Sequence, residues 1–151
     1  MTFDAAAVKA LYAALESHAQ KLGVFERVNT HAPVNAPGNG VSCSIELASW
    51  APYAAGSGLD ATTSKITFTI QIFSSLLQRP LEGIDPQVLT ALATLVAEYS
   101  GNFTLGGLVR DVDLFGMQGQ AGYIPDFEGK PFRVINLTVP IVINDTFVQG
   151  A

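Results

Sequence analysis

A chain of 151 residues with apolar periodicity from end to end and no break in composition reads as one domain spanning 1–151. Its net charge of −5, with 8 scattered basic residues against 13 acidic ones, excludes a protein built to grip nucleic acid, which would neutralise phosphates with clustered Lys and Arg. Charged residues make up only 14% of the chain and hydrophobic ones 48%, yet no run reaches the roughly 18 apolar residues of a membrane helix; the excess apolar surface is expected to be buried against copies of the chain or other partners.

Cys43 is the single cysteine, so neither an intrachain disulfide nor a multi-cysteine zinc site can form. The first residues lack a basic leader region, and Asp4, Lys9 and Glu16 interrupt their apolar pattern, so synthesis in the cytoplasm without a secretory signal is expected. The spacing of Val8, Leu11, Tyr12, Leu15, Ala19 and Leu22 predicts a helix over Asp4 to Leu22, closed by Gly23. Within it His18 is expected to be a boundary residue with a hydrogen-bonded ring.

Val24 to Asn29 is a short candidate strand. His31 to Gly40 then concentrates prolines, asparagines and glycines into a long loop. Alternation of Val41, Cys43, Ile45 and Leu47 with polar neighbours predicts a half-buried strand ending near Trp50 and Pro52. A loop of small residues follows over Ala51 to Thr63. Ile66, Phe68, Ile70 and Ile72 mark the cleanest strand in the chain, with Lys65, Thr67, Thr69 and Gln71 on its polar face.

After a turn-rich connection, Asp85 followed by Pro86 reads as a helix start, with the Asp85 side chain as cap. Val88, Leu89, Leu92, Leu95, Val96 and Tyr99 form the apolar face, and Gly101 is expected to stop the helix in left-handed geometry. Leu108 to Phe115 carries a strand period with charges on both faces. Met117 to Ala121 reads as a glycine-rich break, Gly122 to Ile124 as a short segment and Asp126 to Lys130 as a hairpin turn. The final strand is long and contains Pro140, which requires an edge, a bulge or a departure from the sheet there. The order α-β-β-β-α-β-β-β predicts an α+β fold, a mainly antiparallel sheet packed against two helices.

Chemistry-bearing patterns are few. Asp111 and Asp113, placed on one face of the predicted strand, form an acidic pair of the kind that holds a divalent cation, with an exposed or intersubunit pair facing Arg110 or Arg133 of a neighbour as the stronger reading. His31 has no second metal ligand at a telling spacing. The PGNG run at Pro37 to Gly40 lacks the Lys-Ser/Thr of a phosphate loop and leads into a strand.

Three regions together carry a resemblance: GVFERVNTHAPVNAPGNG from Gly23, AAGSGLDATTSKITFTIQIFSSLLQRP from Ala54, and GNFTLGGLVRDVDLFG from Gly101 with AGYIPDFEGKPFRVINLTVPIVIND from Ala121. In the order and spacing of these loops and strands, nearly the whole chain resembles the tail terminator, or tail completion, proteins of long-tailed bacteriophages, especially those infecting actinobacteria. The resemblance implies a structural subunit, without catalytic residues or cofactor, that forms a hexameric ring on the last ring of the tail tube. That ring ends tube polymerisation and offers a joining surface to the head, which places the protein in the virion, at the head-proximal end of the tail, after assembly in the host cytoplasm.

The implied partners are further copies of the chain, the tail tube protein and a head-completion protein, with DNA passing through the lumen unread and no membrane involved. Candidate assembly contacts are His31, Pro37, Asn39, Tyr53, Arg79, Arg110, Asp111, Asp113, Arg133, Asp145 and Phe147. The competing readings are another virion connector or a tube subunit, and a small metal-dependent enzyme using Asp111, Asp113 and His31.

Overall fold

The chain's helical and extended periodicities separate onto two layers in a computed structural model that describes residues 2–30, 40–53, 61–76, 81–127 and 130–148. The elements are α1 (Ala5–Lys21), β1 (Arg27–Asn29), β2 (Ser42–Pro52), β3 (Ala61–Ser75), α2 (Ile84–Gly101), β4 (Asp111–Val112), β5 (Gln118–Phe127) and β6 (Lys130–Val148). One sheet runs in the order β1-β2-β3-β6-β4, with β5 alongside the first half of β6. The β1–β2 pair is parallel and every other pair antiparallel, which is the α+β architecture that the element order predicts.

Alternate residues of the long strands put Cys43, Ile45, Ile66, Phe68, Ile70, Ile72, Leu137, Val139 and Ile141 on one face. That face is covered by Leu11, Leu15 and Ala19 of α1 and by Val88, Ala91, Leu95 and Tyr99 of α2. Tyr12 adds an edge-on contact to Phe68, with ring centroids 5.2 Å apart. On the opposite face Phe73, Phe132 and Val134 form a small second cluster with Ile124. Beyond that cluster the face carries Lys65, Thr67, Thr69, Gln71, Asn136 and Thr138, all half-buried, with Pro140 and Val142 buried at the β4 end.

α1 starts where the sequence predicts. The Asp4 carboxylate accepts the Ala7 amide at 2.8 Å, and Gly23, at φ 69°, turns the chain after the last helical carbonyls. α2 departs from expectation at both ends. A 3-10 turn, Leu81–Gly83, delivers the chain already in helical geometry, so Gly83 is the cap without a side-chain bond and Asp85 lies inside the helix. Its carboxylate instead accepts from Arg133 Nε at 2.9 Å. Gly101 remains helical; the stop is Asn102, whose amide bonds the carbonyls of Glu98 and Tyr99. The left-handed geometry appears further on, at Leu105, Gly106 and Gly107. Leu105 tolerates φ 50° because its side chain is buried against the core. Leu89 is 54% exposed, since the buried line of α2 runs through Val88, Ala91 and Leu95 and leaves Leu89 at its margin.

The strands also differ from their expected lengths. β1 is three residues long, whereas β2 and β3 extend to Pro52 and from Ala61, taking up both ends of the loop expected over 51–63. The strand expected over 108–115 shrinks to the two residues of β4, followed by a 3-10 turn at Leu114–Gly116. Conversely, the expected glycine-rich break belongs to β5, a strand of 10 residues, because small side chains still allow the ladder to β6. Phe127 faces Lys130 across the β5–β6 hairpin, as the turn at 126–130 predicts.

Pro140 sits within β6 where its outer neighbour changes from β5, whose pairing ends at Thr138, to β4, which begins at Ile141. The Pro140 carbonyl accepts the Asp113 amide at 2.9 Å on that side. A strand residue's nitrogen and carbonyl point the same way, so the missing donor falls in the gap between two partners.

Replacement of Asp4 by Ala is expected to lower the unfolding free energy in urea by about 1 kcal/mol through loss of a cap. Asp85→Ala should cost less than Asp4→Ala, because the side chain it removes is 60% exposed and paired at the surface. The reverse order would return the cap role to Asp85.

Candidate functional site

The ladder brings two distant stretches of sequence to the ends of one rung. Trp50 is opposite Ile66, Ile66 opposite Ile141, and Ile141 opposite Val112. One residue along, the rung reads Ala51, Lys65, Val142 and Asp111. Here Lys65 Nζ lies 3.2 Å from Asp113 Oδ2 and 5.9 Å from the centre of the Tyr53 ring. Arg110 Nε stands 3.7 Å from Asp111 Oδ2, and its Nη1 donates to Asn144 Oδ1 at 3.4 Å. Asn144 Oδ1 also accepts from Thr63 Oγ1 at 3.2 Å.

Four of the sequence candidates therefore lie along this rung, Tyr53 at the end of β2 and Arg110, Asp111 and Asp113 on the β4 side, with Lys65 of β3 between them. The two aspartates do not share a strand face as expected. Asp111 leaves from β4, while Asp113 caps the 3-10 turn through a bond from the Gly116 amide to Oδ1 at 3.2 Å. Each has its own cation, and among the described residues no group of three His, Cys, Asp or Glu side chains could hold a metal ion. Partly exposed pairs of this kind contribute about 0–1 kcal/mol each, so they orient the turn more than they stabilise the fold.

Arg133 belongs elsewhere. It bonds Asp85, donates Nη1 to the Gly122 carbonyl at 3.2 Å and lies 4.3 Å from the centre of the Tyr123 ring. His31, Pro37, Asn39 and Arg79 lie outside the described residues. Asp145 and Phe147 lie on the backbone of β6, and their side chains fall outside the description.

The residues that sequence reasoning missed are apolar. Phe115 is wholly exposed at the tip of the turn, and Phe103 and Leu114 are exposed beside it. Together with Asp111, Val112 and Asp113 they line a shallow groove of about 300 Å³. The Val112 amide donates to the Phe103 carbonyl at 2.6 Å, which fixes the loop to β4. At the other end of the rung, Leu47 and Trp50 are exposed, and Phe3 stacks on Trp50 with centroids 6.4 Å apart. The available signals were the lone tryptophan at a strand end and a phenylalanine between Asp113 and Gly116, a turn-forming pair.

Gly116 is required by close approach. A Cβ there would stand 2.7 Å from Asp113 Oδ2 and 3.0 Å from Pro140 Cγ, so any side chain would push the capping carboxylate off Lys65.

His18 is not the satisfied boundary residue of expectation. It is 9% exposed, stacks on Tyr99 with centroids 4.4 Å apart, and neither ring nitrogen reaches hydrogen-bond geometry with a described group. Burial pushes its basicity below the ordinary value of 6.5, opposed by the Glu98 backbone and carboxylate and reinforced by Lys21. Burial likewise raises the Cys43 thiol to about 12, which leaves it protonated and unreactive.

Neither a scan against protein-family models nor a search of curated proteins gives a match for this chain.

Two outcomes follow from these contacts. Gly116→Ala is expected to cost about 1–3 kcal/mol by overpacking the turn, measured in urea, whereas Lys65→Met, which removes only the ion pair, should cost under about 1 kcal/mol. For His18, the unfolded chain takes up a proton near 6.5 while the folded chain resists it, so stability is constant above that pH and falls as pH drops through the window between the unfolded and the lowered folded value. His18→Phe should flatten that part of the stability profile; an unchanged slope would place its origin elsewhere.

Proposed function

We propose that this chain is a structural subunit of a bacteriophage tail, a terminator that caps the tail tube as a homo-oligomeric ring and provides the surface for joining the head. The observation that carries the reading is the placement of two exposed aromatic patches at opposite margins of one sheet. Phe103, Leu114 and Phe115 stand beyond β4, and Leu47 and Trp50 stand on β2. Ring assembly of identical subunits requires two different surfaces on each copy to meet head to tail, and exposed apolar patches mark where such surfaces lie.

The polar sheet face supports the same reading. Thr67, Thr69, Gln71, Asn136 and Thr138 form a surface of hydroxyls and amides, with Glu46 and Lys65 as the charges beside them. A wall of this composition lets a polyanion pass, whereas clustered Lys and Arg would hold its phosphates. Such a face suits the lumen, with α1 and α2 toward the outside. The resemblance in loop order over nearly the whole chain supplies the tube end as the place of assembly.

Negative-stain electron microscopy of the purified protein mixed with isolated tail tubes should show a ring closing one end of each tube. Unlimited filaments of the protein alone would transfer the reading to a tube subunit. Replacing Asp111 and Asp113 together by Ala should impair capping while leaving the folded circular-dichroism spectrum intact. Stoichiometric binding of a divalent metal by the wild type, lost in that double variant, would overturn the structural reading in favour of metal chemistry.

A further inference from the structure

We infer that the subunit interface joins the two ends of the Trp50–Val112 rung, with Leu47 and Trp50 of one copy seated against Phe103, Leu114 and Phe115 of the next. This inference rests on the ring reading above and names its seam.

Three observations select a second copy as the occupant. First, the patches match each other in chemistry: each is a small group of exposed aromatic and aliphatic side chains, backed on one side by Phe3 and on the other by Val112. Second, they cannot meet within one chain, because β3 and β6 stand between β2 and β4 in the sheet. A foreign partner fitted to either patch would leave the other in water, whereas a copy of the chain covers both. Third, their anchors in the sheet lie level. The register connects Trp50 to Ile66, Ile141 and Val112 without offset along the strands, so Trp50 and Val112 stand at the same height, with Leu47 two positions along, opposite Phe68.

Level placement has a consequence for the form of the assembly. A head-to-tail contact that adds rotation without rise closes into a ring; one joining different levels climbs into a filament. Four strands at a spacing of roughly 4.8 Å carry this rung from margin to margin, and their twist supplies rotation. The seam also receives a preformed knob. Phe115 projects from a turn pinned by the Asp113 cap and by the fit of Gly116 against Pro140, so little conformational freedom is lost when it docks.

The test uses the full chain in sedimentation velocity over a concentration series, with Phe115→Ser and Trp50→Ser as separate variants and Leu47→Asp as a second probe of the Trp50 side. The Phe115 ring is wholly exposed, so its removal leaves the core untouched. The wild type is expected to form a closed oligomer. Each variant is expected to lose about thirtyfold or more in association and to run as a monomer. An equimolar mixture of Phe115→Ser with Trp50→Ser, or with Leu47→Asp, should yield one-to-one dimers that grow no further, because only one intact seam remains per pair.

Variants that assemble like the wild type would overturn the seam while leaving the ring reading in place. Dimers formed by Trp50→Ser alone would overturn it in favour of a symmetric contact between Phe115 patches. A wild type that stays monomeric in solution and on tube ends would remove both the seam and the ring.

Discussion

The ladder between β3 and β6 is the constraint on which the remainder of the molecule depends. β3 is paired along its length on both sides, with β2 on one flank and β6 on the other. Its alternate residues Ile66, Phe68, Ile70 and Ile72 are buried beneath the helices. A slip of one residue would turn that whole row to the polar face, so the register is strongly specified by burial. Fixing this register also fixes the heights of features that are remote in sequence. Trp50 and Val112 are level because each is tied, through its own partner, to the same pair of central residues.

Pro140 shapes the margin that results. By removing one donor from β6 between Thr138 and Ile141, it ends the run of β5 and leaves room for the Asp113 turn. Lys65 reaches Asp113 from the central strand, and Gly116 lets the turn close against the proline ring. These are individually weak contacts. Their combined effect is positional: they hold a phenylalanine in water where an isolated fold has no use for it. Since the exposed surface of a folded domain is ordinarily rich in scattered apolar atoms, a single exposed aromatic carries little meaning. Two groups of them, level and on opposite margins, carry more.

Much of this architecture was legible in the sequence wherever one periodicity dominated. α1 and β3 follow from spacing alone, as does the long β6, because each buries one regular face. Asp85 misled because a cap signal presumes an extended chain before the helix, and the 3-10 turn at Leu81–Gly83 removes that condition. The segment 108–115 misled for a related reason: its alternation is genuine only at Asp111 and Val112, where β6 provides a partner, and an unpaired strand has no means of staying extended. In the site, polar side chains drew attention because their chemistry is recognisable in one dimension. Lys65 escaped notice as the polar face of a strand, and Trp50 and Phe115 as a strand end and a turn, because their joint position depends on register.

The composition acquires a definite location in this structure. A chain with 48% hydrophobic residues and 14% charged ones could distribute its surplus apolar area evenly, which would favour indiscriminate aggregation. Here the helix-covered face absorbs most of it, the opposite face is kept hydroxyl- and amide-rich, and the large exposed side chains include groups concentrated at the sheet margins. In the proposed assembly lateral contact is favoured over stacking face to face, since the half-buried polar groups of the opposite face would lose their remaining hydration on burial. In the proposed ring, such a sheet would stand beside copies of itself with its polar face toward the lumen.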